Sequence, residues 1–339
     1  MGGEVLRGLL DHPDAEIAWV TSRSGGRIED HHPNLFGLDI EMIHPDKAGD
    51  CDVAFLALPT DVSIHTASKF LDRGAKVIDL GAAFRLSDRE TWETTYRLKH
   101  PNWELVERAV YGIPELHYED IRQTSLVANP GCFASAAIFA MAPLLQQGLV
   151  EPSRLVVDGL SGTAGAGAEL ARPAHHPEIG NNLVPYNVVG HRHTFEMEQE
   201  LGLVSGAAVQ VHFTPVYAPI TRGILAICHA FPVDRVTRQD LLDLFREFYN
   251  GSPFVQVYDL PREEQVSWQY RPYPWVSAIA GTNYCQIGLD VDVQRNRIVV
   301  FSVLDSIGKG GALAGIENMN IMFGLDRTTG LSRRGMHPN

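Results

Sequence analysis

The chain has 339 residues, 45% of them hydrophobic, enough to bury a full core and, by its length, to form about two domains. Lys and Arg total 28 against 41 Asp and Glu; the formal net charge of -13 repels nucleic-acid phosphates and argues against a polyanionic partner, while small metabolites stay open. The four cysteines, Cys51, Cys132, Cys228 and Cys285, are too sparse for a disulfide framework, and with neither a charged-then-apolar leader nor a long apolar run the expectation is a cytoplasmic protein without a membrane segment.

Val5, Leu6, Leu9 and Leu10 recur at helical spacing and predict a helix that starts almost at residue 1 and ends near His12-Pro13. Ile17 to Thr21 reads as a short buried strand, followed by the polar loop Ser22-Arg23-Ser24-Gly25-Gly26. Helix, strand and polar loop make half of a nucleotide-binding pattern, with only Gly2-Gly3 to represent the glycine turn that normally precedes the helix. Asp52 to Leu58, ending at Pro59, and Lys76 to Leu80 predict two further buried strands, with a helix from about Val62 to Leu71 between them. This alternation implies a parallel sheet covered on both faces, whose ligand crevice lies at the carboxyl ends of its strands, where Arg23, Pro59 and Gly81 fall. An arginine after the second strand of such a domain favours a 2′-phosphate over a ribose hydroxyl, so Arg23 with Ser22 points to NADP.

The apolar run Ser125 to Ala128 then meets Asn129-Pro130-Gly131-Cys132 and a helix pattern of small residues from Phe133 to Leu145. A first helical turn offers unpaired N–H groups and a positive dipole end, which favour thiolate over thiol and can cradle an oxyanion. Two readings of Cys132 stand at this point: a nucleophile, or a small buried residue in a strand-to-helix turn.

Beyond that helix strands follow strands: Leu155 to Leu160, Val209 to Tyr217, Gly223 to Phe231, Phe254 to Tyr258, and the pair Tyr284 to Val293 and Arg297 to Leu304 joined by Gln294-Arg295-Asn296. A helix is expected from about Thr237 to Tyr249, and a final amphipathic helix over Lys309 to Phe323. The whole reads as an α/β Rossmann-like nucleotide domain, residues 1–131 with 308–339, and an α+β catalytic and oligomerisation domain with a mostly antiparallel sheet, residues 132–307.

A cysteine nucleophile needs a base and an oxyanion site. His193 lies at the N-terminus of a helical stretch with an acidic face, Thr194 to Leu201, where the dipole keeps an imidazole neutral and able to take a proton; His191 is its neighbour. Ordinary loop histidines and a zinc site built from His191, His193, His175 or His176 and Glu178 are the competing readings, although no recognisable zinc spacing is present and no metal is assigned. Cys228 and Cys285 sit in apolar strand patterns and read as inert core. Arg222 and Arg85 could each hold a carboxylate or phosphate, or be solvated surface arginines. The glycine run Gly162 to Gly167 is too short and wrongly placed for a Walker loop, and either approaches a ligand closely or simply turns.

Asn129-Pro130-Gly131-Cys132, Gly190-His191-Arg192-His193-Thr194, Glu196 to Leu201, Thr221-Arg222-Gly223 and Asn318-Met319-Asn320-Ile321-Met322-Phe323-Gly324-Leu325 together resemble the N-acetyl-γ-glutamyl-phosphate reductases, over essentially the whole chain. The wider group includes the aspartate-semialdehyde dehydrogenases. The resemblance implies NADPH-dependent reduction of an acyl phosphate to a semialdehyde through a Cys132 thioester in arginine biosynthesis, with His193 as base and a homodimeric or homotetrameric assembly. Substrate-binding candidates are then Asn129, Arg85, Arg222 and Arg192; cofactor-binding candidates are Gly2, Gly3, Ser22, Arg23, Pro59, Gly162, Gly165, Ser306 and Lys309. His175-His176-Pro177-Glu178 and Gly281-Thr282-Asn283-Tyr284 also look like a branch acting on aminoadipyl or glutamyl phosphates held by a carrier protein. The chain departs from the family at Ala83, where an acidic residue is usual, and at Ser306, where asparagine is usual. The family's first strand and glycine turn would precede Met1, so a start codon assigned too late is expected, and a catalytically impaired nucleotide-binding homologue is a further alternative.

Overall fold

The computed structural model describes residues 1–167, 171–259, 273–331 and 333–336. They form two compact units: Met1–Phe84 with Pro101–Asn129 and Gly315–Leu331, and Arg85–His100 with Pro130–Ala314 and the described part of 332–339. The sequence reading divides the chain at 131 and 308 instead; by compactness, Arg85–His100 and residues 308–314 group with the second unit.

In the first unit, β1 (Val20–Thr21) pairs in parallel with β2 (Met42–Ile43). A second sheet holds β3 (Val53–Leu56), β4 (Lys76–Asp79), β5 (Val110–Tyr111) and β6 (Leu126–Ala128) in the order β3-β4-β6-β5, every pairing parallel. β4 and β6 carry consecutive apolar residues because a parallel sheet is covered on both faces: Val77, Ile78, Val127 and Ala128 are wholly buried. The first helix, Gly2–Leu9, packs Leu6 into a cluster with Ile28, Leu35 and Met42. The strand expected over Ile17 to Thr21 is shorter than its apolar run; Ile17 packs against this cluster instead of joining a ladder.

In the second unit a seven-stranded mixed sheet runs β11-β12-β13-β10-β7-β9-β8, with β7 (Leu155–Ser161), β8 (Val184–Pro185), β9 (Val211–Tyr217), β10 (Ile224–Ala230), β11 (Val255–Val257), β12 (Cys285–Asp292) and β13 (Arg297–Leu304). Only the β11–β12 and β7–β9 pairings are parallel, so the expected mostly antiparallel sheet is present. Alternate residues of β7 and β10 are buried, and the buried face receives the helix Cys132–Gln146. From Phe133 to Leu145 that helix is buried on every side, which explains its run of alanines: small side chains let it lie close to the helix Arg192–Ser205 as well as to β10 and β13.

One helix differs from its expected character. The segment expected to be one amphipathic helix from Lys309 to Phe323 is a π-turn, Gly308–Ala312, followed by an α-helix, Leu313–Met322. That helix is buried all round, its polar residues included: Glu317, Asn318 and Asn320 are fully enclosed. Within the first unit Asn318 Nδ2 donates to the Gly112 carbonyl at 3.0 Å and Glu317 accepts from Arg327 at 3.0 Å, while the buried Asn318 Oδ1 has no hydrogen-bond partner among the described residues. Among the described residues no helix is long and apolar enough to cross a membrane.

Candidate active site

Strand β6 ends at Ala128, Asn129-Pro130-Gly131 turns the chain, and the buried helix starts with Cys132 as its first residue and Gly131 as its N-cap. Cys132 is half-buried. Burial pushes its thiol above the ordinary value, against the pull of the Phe133 N–H and the Arg85 and Arg192 charges, with Glu196 adding to the rise. Desolvation of the anion thus acts against the pull toward thiolate expected of a helix terminus. A protonated thiol can act as a nucleophile only with a base beside it to take the proton.

The helix Arg192–Ser205 brings two histidines to its N-terminus. His191 is its N-cap, and its Nδ1 accepts the His193 backbone N–H at 3.2 Å. His193 is 5% exposed, and burial holds it well below its ordinary value, with Arg192, His191 and Arg85 reinforcing that direction and Glu196 opposing it. Its imidazole is thus neutral and able to accept a proton at physiological pH. The buried His193 Nδ1 has no hydrogen-bond partner among the described residues, while Nε2 stands 3.8 Å from Glu196 Oε1. The ring lies against Gly131: a Cβ on that glycine would stand 2.6 Å from His193 Cδ2 and closer still to Nε2. Phe133 meets both histidines edge-on, with centroids 6.0 Å from His191 and 6.1 Å from His193.

Glu196 is the residue that sequence reasoning missed. The stretch from Thr194 reads as a helix with an acidic face, and two of its acidic residues, Glu196 and Glu200, are 0% and 1% exposed. Glu196 Oε2 accepts the N–H of Gly131 at 2.9 Å and Oε1 accepts from Arg85 Nη1 at 3.2 Å. One carboxylate thereby ties the N-cap of the Cys132 helix to the His193 helix. The signal available was the spacing of three between His193 and Glu196, which puts both on one helix face. Arg85 is therefore no surface arginine: it is 7% exposed, and its carbonyl accepts from Gln199 Nε2 at 3.0 Å. Arg192 is exposed at the start of the same helix.

Arg222 lies before β10, its Nε donating to the fully buried Asp305 at 2.8 Å. Ser306 Oγ accepts the Gly223 N–H at 3.3 Å. Gly162 follows β7 where a Cβ would meet the Thr221 carbonyl oxygen at 2.6 Å, so this glycine serves close backbone approach within the unit; at Gly165 the nearest atom would be Ser161 Oγ at 3.1 Å. Lys309 is 1% exposed, its ammonium 5.4 Å from the Phe139 centroid and 5.7 Å from that of Phe254.

In the first unit Gly2 and Gly3 open the helix Gly2–Leu9, and a Cβ on Gly3 would collide with the His32 ring. Ser22 and the exposed Arg23 follow β1, with Ser22 and Ser24 hydroxyls 2.9 Å apart. Pro59 caps the helix Thr60–Asp72 after β3. At the end of β4 the buried Asp79 accepts from Ser63 Oγ at 2.5 Å and from the Ala83 N–H at 3.1 Å, shaping the loop after the strand. Asn129 is fully buried and accepts from Asn318 Nδ2 at 3.2 Å. A guanidinium with two hydroxyls after the second family-expected strand is a donor set that fits a phosphate monoester. Among the described residues no group of three or more His, Cys, Asp or Glu is placed to hold a metal; His175 and His176 are exposed, and Glu178 pairs with Arg172 at 3.2 Å.

Residues 1–124 match the family described as semialdehyde dehydrogenase, NAD binding domain, and residues 132–306 match semialdehyde dehydrogenase, dimerisation domain. The chain is 40% identical over 343 residues to the N-acetyl-gamma-glutamyl-phosphate reductase of Pelotomaculum thermopropionicum, covering 99% of this chain and 96% of the relative. It is 43% identical over 344 residues to the protein of the same name from Symbiobacterium thermophilum, covering 98% and 95%. Among solved structures, aspartate semialdehyde dehydrogenase II from Vibrio cholerae is similar with a TM-score of 0.69 at 15% identity, covering 95% of this chain and 94% of that one. The Candida albicans aspartate semialdehyde dehydrogenase, solved with NADP, gives a TM-score of 0.66 at 17% identity with 95% of each chain covered.

Proposed function

The chain belongs to the N-acetyl-γ-glutamyl-phosphate reductase family of semialdehyde dehydrogenases, and from that premise we propose that it reduces N-acetyl-γ-glutamyl phosphate to N-acetylglutamate semialdehyde with NADPH, a step of arginine biosynthesis. The observation that carries the reading is end-to-end relatedness to reductases of that name. The buried histidine packed on the N-cap of the Cys132 helix supports it.

In the first unit Arg23, Ser22, Gly2, Gly3 and Pro59 would hold the dinucleotide, Arg23 taking the 2′-phosphate and the helix start the pyrophosphate. When bound, the cofactor supplies the hydride that reduces the acyl group. Neutral His193 takes the thiol proton as Cys132 Sγ attacks the γ-acyl carbon; the bond to phosphate breaks, phosphate leaves, and a thioester remains on Cys132. First-turn N–H groups of the Cys132 helix stabilise the oxyanion that develops in each step. After reduction the carbon–sulfur bond breaks, the semialdehyde departs, and Sγ recovers its proton from His193. Arg85, Arg192, Arg222 and Asn129 are the substrate-binding candidates. The second unit corresponds to a dimerisation domain, which supports a working homodimer or homotetramer.

The test is the Cys132→Ala variant: it should abolish NADPH-dependent semialdehyde formation, and retained turnover would overturn the assignment. A substrate panel of free N-acetylglutamyl phosphate, aspartyl phosphate and carrier-linked aminoadipyl phosphate reads the acyl preference, with the free N-acetylated substrate expected to be turned over fastest.

A further inference from the structure

Asp305 follows β13 and is fully buried, yet it lies outside the chemistry described above. Its Oδ1 accepts the N–H groups of Ile307 at 2.9 Å and Gly308 at 3.0 Å; its Oδ2 accepts the Gly281 N–H at 2.5 Å and Arg222 Nε at 2.8 Å. Its carbonyl accepts the N–H of Gly310 at 2.9 Å. A carboxylate with this many donors is satisfied in its burial and fixes every group that donates to it. The turn it fixes ends against the nucleophile: a Cβ on Gly310 would stand 2.8 Å from Cys132 Cβ and 2.9 Å from Leu304 Cδ1. The same residue thus holds Arg222 from one side and the wall behind Cys132 from the other.

We propose that Asp305 is a positioning residue of this site, which sets the placement of the Cys132 side chain through Gly310 and that of the guanidinium of Arg222 directly. The inference rests on the reductase reading only for the identity of Cys132 as nucleophile. Geometry makes Gly310 obligatory, because any side chain there displaces Cys132 or the β13 end. Asparagine at 305 keeps the shape but replaces one acceptor oxygen by an N–H donor facing other donors, which loosens the turn.

The experiment compares Asp305→Asn and Gly310→Ala with the full-length wild type in two readouts: steady-state reduction, and the rate of Cys132 alkylation by iodoacetamide on folded protein without substrate. Expected is a fall in kcat of roughly 10-fold or more with KM for NADPH little changed, together with an alkylation rate altered at least roughly three-fold in both variants, since a displacement near 1 Å is enough for such losses. The double variant should lose less than the product of the two single losses, because both act through one turn. Alkylation unchanged in either folded variant, even with lowered thermal stability, reduces Asp305 to a structural residue and overturns the proposal. Alkylation altered in a protein whose wild type does not reduce N-acetyl-γ-glutamyl phosphate would instead sink the functional reading and leave this one standing.

Discussion

His193 and Gly131 are in direct contact, the imidazole filling the space that a side chain on the N-cap of the Cys132 helix would occupy. Glu196 reinforces that contact by accepting the Gly131 N–H. The imidazole is therefore positioned by the backbone of the turn that opens the Cys132 helix. Gly131→Ala should push the ring away while leaving the helix, whose N-cap φ of -74 and ψ of 143 suit alanine, intact. A loss of roughly 100-fold in kcat is expected with unchanged circular dichroism. A fully active Gly131→Ala enzyme would remove His193 from the mechanism.

Acid should destabilise the protein through the same histidines. Burial pushes His191 down to about 4, Arg192 adding to the fall and Glu196 opposing it, and His193 moves in the same direction. Unfolded imidazoles titrate near ~6.5, so between about pH 6.5 and 4 the unfolded chain binds protons that the folded chain refuses. Stability is complete above that window and falls as pH drops through it, by up to roughly 3 kcal/mol for His191 alone. Urea unfolding at pH 7.5 and pH 5 measures the loss; a His191→Gln variant that loses as much as the wild type on acidification would refute the assignment.

The turn that opens the Cys132 helix, the helix start at His193 and the alternation of the large sheet were legible because each rests on a local signal: a strand-to-turn-to-helix pattern at Cys132, a helix start at His193, alternation in β7 and β10. Glu196 and Asp305 were not, since nothing in the chain order says that an acidic residue on a polar-looking helix or after a strand will be buried against an arginine. The helix Leu313–Met322 misled for a related reason. Its Glu317, Asn318 and Asn320 look like a solvated face until Arg327 and, from far earlier in the chain, the Gly112 carbonyl are placed against it. The direction of the Cys132 shift was also out of reach, because desolvation depends on how much protein closes over the thiol.

Arg23 should decide between the two nicotinamide dinucleotides. It is exposed after β1 with Ser22 and Ser24 beside it, and an arginine–phosphate pair contributes roughly 1.5–3 kcal/mol. Arg23→Ala is expected to raise KM for NADPH by roughly 10- to 100-fold while KM for NADH and kcat move little. Equal effects on both cofactors would place the 2′-phosphate elsewhere.

Pro143 interrupts the Cys132 helix, and having no N–H it leaves the carbonyl of Phe139, four residues earlier, without its helical donor. The Tyr249 hydroxyl donates to that carbonyl at 2.6 Å from a side chain that is 5% exposed. Inside the buried part of the helix this outside donor replaces the missing one. Tyr249→Phe removes the donor while keeping the ring and should cost roughly 1–3 kcal/mol in urea unfolding, with activity per folded molecule retained. Pro143→Ala restores the main-chain N–H, so in the double variant most of the Tyr249→Phe loss should be recovered. Additive losses in the two variants would show that the hydroxyl stabilises the helix in some other way.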